Sequence, residues 1–215
     1  MGLTARRSTA LDRSTILSAA LDLVDDVGLD GLNMRALAQR LGVGTMSLYH
    51  YLPNKDALLD GIVEALLLRI EIPSVDAGRW DERALLMARS LRAVALAHPH
   101  AVPLMCTRPF ATGDALRPCN AAFEVLAEAG LTEDQALIAF RTLVAYVLGF
   151  VMMESAGFFG GVGYGRDPDE LRALGLPRLA EMVPFLAGRD FDADFDAGLR
   201  IVELGALGFL AERNR

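Results

Sequence analysis

Residues 33–55 restrict this chain to very few folds. Asn33 is a good helix N-cap, and Ala36, Leu37 and Leu41 recur behind it at helical spacing. Gly42 then supplies a backbone that can turn sharply and end the helix. A second short helix is predicted over Thr45–Tyr51, with Leu48 as its inward anchor. Thr45, Met46, Ser47, Tyr49, His50 and Tyr51 then point outward or toward an edge. Two short helices joined this way form a helix-turn-helix, whose second helix fits the DNA major groove. Asn54 caps a restart at Lys55.

A helix-turn-helix pattern alone is weak evidence, because short amphipathic helices separated by glycine are common. Here Leu41-Gly42-Val43 is followed by Leu48-Tyr49 and then by Asn54-Lys55-Asp56-Ala57-Leu58-Leu59. Upstream lies the apolar helix Ile16–Val24, ending at Gly28. This order of motifs, over about residues 11–66, resembles the TetR family of bacterial repressors. The resemblance implies an all-α protein: an N-terminal three-helix helix-turn-helix DNA-binding domain (1–56) and a larger C-terminal helical ligand-binding and dimerisation domain (57–215). The boundary is expected inside the fourth helix, with an operator of inverted-repeat double-stranded DNA and no cofactor.

Charge is consistent with that division. The formal net charge of −7 argues against a general polyanion binder. Residues 1–55 carry Arg6, Arg7, Arg13, Arg35, Arg40 and Lys55 against Asp12, Asp22, Asp25, Asp26 and Asp30. That is a net +1, so the remainder carries −8. An acidic bulk behind a mildly basic head favours oriented, salt-sensitive binding. Cys106 and Cys119 have neither metal-ligand spacing nor a disulfide framework, which points to a reducing cytoplasm. No secretory signal is read at the start, since Asp12 and Asp22 interrupt any apolar stretch. The apolar run Thr142–Met153 falls short of the ~20 residues a span needs, so a buried helix and no membrane partner are expected.

Each outward residue of the second helix has a plausible partner on DNA. Thr45 and Ser47 carry hydroxyls that serve bases or phosphates, and Met46 suits a thymine methyl. The resemblance makes Thr45, Met46, Ser47 and His50 base readers and places Tyr49 and Tyr51 on phosphates. For Tyr51, a role in closing the small head stands equally open. Arg35 lies in the first turn of the preceding helix, and arginine suits a bidentate grip on guanine. The family places a DNA-contacting arginine at this match position. Lys55, the single lysine against 20 arginines, opens a helix where positive charge opposes the macrodipole. A phosphate there reverses that sign, and the family uses the matching lysine so. Arg6 and Arg7 suit a minor-groove arm or a simple solubilising tail.

Beyond Ala57 apolar runs recur near 57–70, 80–97, 101–106, 114–129, 132–156, 169–186 and 193–212, without sustained alternation. The helix predicted over Thr132–Ala156 would reach ~37 Å. With the last helix, Ala193–Glu212, it would form a four-helix dimer interface, as the family does; two internal core helices are the other reading. Leu104-Met105-Cys106-Thr107-Arg108-Pro109 and Tyr146-Val147-Leu148-Gly149-Phe150 resemble the tetracycline repressors in particular. The two positions that carry tetracycline-pocket histidines there fall here on Glu71 and Leu104, and leucine cannot ligate magnesium. The expected effector is therefore a small hydrophobic molecule. Candidate ligand residues are Met87, Leu91, Leu104, Met105, Phe110, Phe123, Phe140, Val144, Met152 and Phe158, any of which also suits plain core.

Gly160–Gly165 lacks a preceding strand and the spacing of a phosphate-binding loop, so it reads as a loop between helices and a candidate lid. His98-Pro99-His100 with Cys106 is a faint metal constellation, explained more simply by a helix break. No nucleophile is paired with a base, and His98, His100 and Glu154 do not make a catalytic site. The sequence therefore predicts a homodimeric regulator released from DNA by an apolar ligand, not an enzyme. Activation or ligand-independent repression remain alternatives.

Overall fold

The computed structural model describes residues 11–108, 110, 112–161, 165–186 and 189–213. Among them are twelve α-helices and no strand. The chain divides into two compact units, one of residues up to 69 with 100–117, the other of 70–99 with 118–215.

The first unit begins with α1 (Arg13–Gly31), whose N-cap Asp12 accepts the Thr15 N–H at 2.7 Å. Gly28 takes φ 72°, so the helix kinks where its end was expected and resumes to Gly31. α2 (Met34–Leu41) starts on Asn33, whose Oδ1 accepts the Ala36 N–H at 2.9 Å. It ends at Gly42, in the left-handed region at φ 68°, where a side chain would be strained. α3 spans Thr45–Tyr51, as predicted, and α4 spans Lys55–Leu67 behind the N-cap Asn54. Ile16, Leu21, Val24, Leu37, Leu48, Leu58 and Ile62 are fully buried and form its centre. Each such side chain contributes about 1.5–3 kcal/mol of burial free energy.

The compact unit extends past residue 56, the domain limit expected from sequence, because α4 is packed along α1. Leu17 lies over Gly61, where any Cβ would run into its Cδ2. Three residues beyond Gly61 is Glu64, buried and accepting hydrogen bonds from both terminal guanidinium nitrogens of Arg13. Helix α5 (Trp80–Ala97) belongs to the second unit, whereas the short α6 (Val102–Thr107) packs on α4 in the first.

α7 (Gly113–Glu128) crosses the division between the units at Pro118. The second unit continues with α8 (Glu133–Ser155), α9 (Phe158–Gly161), α10 (Pro168–Ala173), α11 (Pro177–Leu186) and α12 (Phe191–Arg213). A capping box starts α8: Thr132 Oγ1 accepts from the Gln135 N–H at 3.3 Å, and Gln135 Oε1 accepts from the Thr132 N–H at 3.0 Å. The apolar run 169–186 divides into α10 and α11, since Pro177 suits a first helical position better than a helix interior.

Charge ties this unit together. Arg92 of α5 is buried and donates to Glu154 of α8 at 3.0 and 3.1 Å and to Asp192 of α12 at 2.6 Å. Its guanidinium carbon lies 4.6 Å from the Phe195 ring centroid and 5.7 Å from that of Phe150. Burial works against its charge, yet the two carboxylates outweigh burial and raise its pKa above the ordinary arginine value. Arg83, also buried, donates to both oxygens of Glu128 at 2.8 and 2.6 Å.

α8 departs from the buried helix expected. By length and composition it is the one helix among the described residues able to cross a membrane, with mean hydropathy 2.0 in its most apolar window. Only 28% of that window is buried. The helix is apolar on more than one face, and a single chain covers the face bearing Ala136, Ala139, Val147, Leu148 and Val151.

Candidate functional site

The helix-turn-helix presents one surface made by α2 and α3. Leu48 is completely buried and fixes the roll of α3 about its axis. That roll leaves Met46, Ser47, Tyr49, His50 and Tyr51 exposed and Thr45 half-buried. Met46 is 80% exposed, a large apolar side chain with nothing folded against most of it. A groove edge offers such a side chain apolar contact.

Tyr51 is the residue for which two roles stood open. Its hydroxyl donates to the Leu11 carbonyl at 2.8 Å, and its ring meets His50 edge-on at 5.4 Å between centroids. Its donor is thus spent on securing the approach to α1. Tyr49 has no such engagement among the described residues and is 41% exposed. Arg35 lies exposed in the first turn of α2, without an ion-pair partner among the described residues. Arg40, at the other end of α2, is held by Asp26 at 2.5 Å. Lys55 is exposed at the first position of α4, beside the capping Asn54. Arg6 and Arg7 lie outside the described residues.

Behind this surface, α4 carries Asp56, Asp60 and Glu64 at four-residue spacing, on one helical face. Arg108, just past α6, donates through Nε to Asp60 at 2.6 Å and through a terminal nitrogen to Asp56 at 3.1 Å. Those hydrogen bonds, Asp60's first, raise the Arg108 pKa above the ordinary value. Glu64 is held below the ordinary glutamate pKa by the Arg13 hydrogen bond, against the opposing effect of burial. These contacts were not anticipated from sequence. The acidic spacing was visible there, but not the arginine 48 residues away that answers it.

The ten apolar ligand candidates do not converge on one place. Leu104 and Met105 are buried in α6, in the first unit, and half-buried Phe110 follows them. In the second unit Met87 packs with Ala121 and Val125, and Phe123 and Phe140 lie 4.7 Å apart against the Leu126–Ala206 cluster. Leu91 is buried on α5 and Val144 half-buried on α8, while Met152 and Phe158 are exposed. A cavity of about 300 Å³ in that unit is walled by different residues, Phe150, Phe159 and Phe191 among them. Gly160 and Gly161 of the expected loop belong to α9, and 162–164 lie outside the described residues. His100 turns its Nδ1 to the Asp25 carbonyl at 3.1 Å. Glu71 is exposed, its N–H donating to Ser90 Oγ at 2.8 Å, and Leu104 is buried hydrocarbon that cannot ligate magnesium.

A small helical head with an exposed, rigidly anchored second helix, joined to a larger helical unit, defines a helix-turn-helix DNA-binding regulator. Known proteins narrow that class. Residues 16–62 match the family of bacterial regulatory proteins, tetR family, and residues 72–205 match the tetracyclin repressor-like C-terminal domain. The chain belongs to the TetR family of transcriptional regulators. It is 36% identical over 197 residues to the class A tetracycline repressor protein from transposon 1721 of Escherichia coli, covering 90% of this chain and 89% of that protein. Apo ActR from Streptomyces coelicolor has the same fold, with a TM-score of 0.81 and 29% identity over 94% of this chain and 98% of that one. ActR in complex with (S)-DNPA gives a TM-score of 0.77 and 31% identity, over 92% and 98% of the two chains.

Proposed function

We propose that the protein is a homodimeric repressor that grips an inverted-repeat operator and releases it on binding a small, largely apolar effector. The observation that carries this reading is the outward face of α3: one buried leucine amid exposed Met46, Ser47, Tyr49 and His50. In this reading Thr45, Met46, Ser47 and His50 meet base edges, and Arg35 takes a guanine. Tyr49 and Lys55 hold phosphates, Lys55 with the free N–H groups at the start of α4, while Tyr51 closes the head against the Leu11 carbonyl.

Dimerisation is supported by a second apolar surface. Ile138 and Met152 on α8, and Ile201 and Leu204 on α12, are exposed. Gly149, Gly205 and Gly208 have open space where a Cβ would stand, so a second copy can approach the backbone closely. A twofold assembly places two heads on half-sites about 34–36 Å apart.

Release is a population shift: the effector favours a conformer whose head spacing misses successive major grooves. It must discriminate between conformers by a few kcal/mol to act. The relatives lend this support, since ActR is solved with (S)-DNPA bound. A tetracycline–magnesium effector is disfavoured by Leu104 and Glu71 at the matching positions. Selection of sites from random duplex DNA at near-physiological salt tests the reading directly. An inverted repeat with half-sites one helical turn apart is expected; a single half-site, or no enriched sequence from folded protein, overturns it.

A further inference from the structure

We infer that the cavity between α8, α9, α11 and α12 is a receptor for an aromatic organic cation, a planar hydrocarbon body bearing one protonated amine. The inference rests on the ligand-released reading and names the ligand class that reading leaves open.

The cavity holds about 300 Å³, at the small end of the range for ligand sites. Phe150, Phe159, Phe185 and Phe191 supply aromatic walls, and Met182 and Leu186 complete the apolar lining. The rings brace one another: Phe150 and Phe159 stand 4.9 Å apart between centroids, and Phe159 and Phe191 5.8 Å. Such walls suit a flat hydrocarbon, and their negative π faces favour positive charge.

The two charged lining residues are Asp194 and Arg189. They are paired through two hydrogen bonds, Arg189 Nε donating to Asp194 Oδ2 at 2.8 Å and a terminal nitrogen to Oδ1. Their exposures differ: the Arg189 side chain is 50% exposed, that of Asp194 25%. An exposed guanidinium returns to water at little cost, whereas a largely buried carboxylate needs a partner. A ligand ammonium can therefore take the place of Arg189 on Asp194 while its ring system fills the cavity.

Arg92 stands behind Phe150, its charge answered by both Glu154 and Asp192, so it presents no uncompensated positive charge to the cavity.

Three naphthalenes of one shape and different charge test the assignment: 1-naphthylmethylammonium, 1-naphthylmethanol and 1-naphthoate, titrated calorimetrically into the full-length protein at pH 7. The ammonium is expected to bind at least about tenfold more tightly than the alcohol, with the carboxylate weakest. Asp194→Asn should remove that advantage while leaving alcohol binding intact, which also shows that the variant cavity is folded. Arg189→Gln should tighten the ammonium by freeing Asp194, and Phe159→Ala should weaken every probe that binds. The assignment is overturned by absence of binding, by equal or tighter binding of the alcohol or carboxylate, or by indifference of the ammonium to Asp194→Asn. Operator retention measured with the same ammonium separates the two readings. Binding that depends on Asp194 without operator release overturns ligand-controlled repression and keeps the cavity; release that ignores Asp194 does the reverse.

Discussion

Arg108 and Asp60, 48 positions apart in sequence, meet at 2.6 Å through the arginine Nε, and the same guanidinium reaches Asp56 one turn earlier on α4. Asp56 follows Lys55, so the clamp closes directly behind a proposed phosphate contact. A shift of Arg108 would therefore be felt at the start of α4.

Breaking the clamp should cost stability measurably. Both side chains of the Arg108–Asp60 pair are about three-quarters buried. Arg108→Ala and Asp60→Asn are each expected to lower unfolding free energy by about 1–2 kcal/mol in urea titrations. A double-mutant cycle should return a coupling of about 1 kcal/mol, and additive losses would show the pair to be energetically idle.

Glu64 sets a pH dependence. Its folded-state pKa lies below the ordinary glutamate value because Arg13 donates to it, against burial. A depressed carboxylate pKa contributes stability that is full above the unfolded value, near 4.5, and is lost as pH falls through the folded value. Wild type should thus lose more stability than Glu64→Gln on going from pH 6 to pH 3. Parallel curves for the two proteins would contradict the assignment. At pH 7 the variant should be less stable by about 1–3 kcal/mol.

The DNA contacts predict two kinds of loss. Lys55→Ala and Tyr49→Phe should weaken binding to many sequences alike, and Lys55→Ala should reduce the salt slope by about 1. Arg35→Ala should relax preference at one base pair, at a cost of about 1–3 kcal/mol on the preferred site. Fluorescence anisotropy over a salt series, with single-base operator variants, distinguishes the two. A uniform effect of Arg35→Ala would move it from base to phosphate.

Gly198 allows α8 and α12 to approach. A Cβ there would stand 2.5 Å from Tyr146 Cζ, while the Tyr146 hydroxyl donates to the Phe195 carbonyl at 2.9 Å. Gly198→Ala should therefore destabilise by about 1–3 kcal/mol despite alanine's better helix propensity. Tyr146→Phe should lose about 1 kcal/mol, the hydrogen bond alone. Neutral behaviour of Gly198→Ala would mean that the ring moves aside freely.

The apolar outer face of α8 and α12 is tested by charge. Ile201 is 72% and Leu204 66% exposed in the single chain, so glutamate at either leaves the folded unit undisturbed. Ile201→Glu and Leu204→Glu should yield folded monomers by sedimentation velocity and weaken operator binding by at least about tenfold. Dimers unaffected by both substitutions would place the interface elsewhere.

What the sequence determined by itself was local. Asn33, Asn54 and Thr132 mark helix starts because each accepts a hydrogen bond from a backbone N–H three residues on. Gly42 marks the turn and Leu48 the inward face of α3 for equally short-range reasons. Tertiary structure decided what depends on distant partners. It set Arg13 on Glu64, Arg108 on Asp60 and Arg92 between Glu154 and Asp192, choices that no spacing rule contains. It also split the ten apolar ligand candidates between two units and lined the cavity with other phenylalanines. Along a helix as uniformly apolar as α8, hydropathy is alike on every face. Only packing against α5 and α12 selects which face a single chain buries and which it leaves exposed.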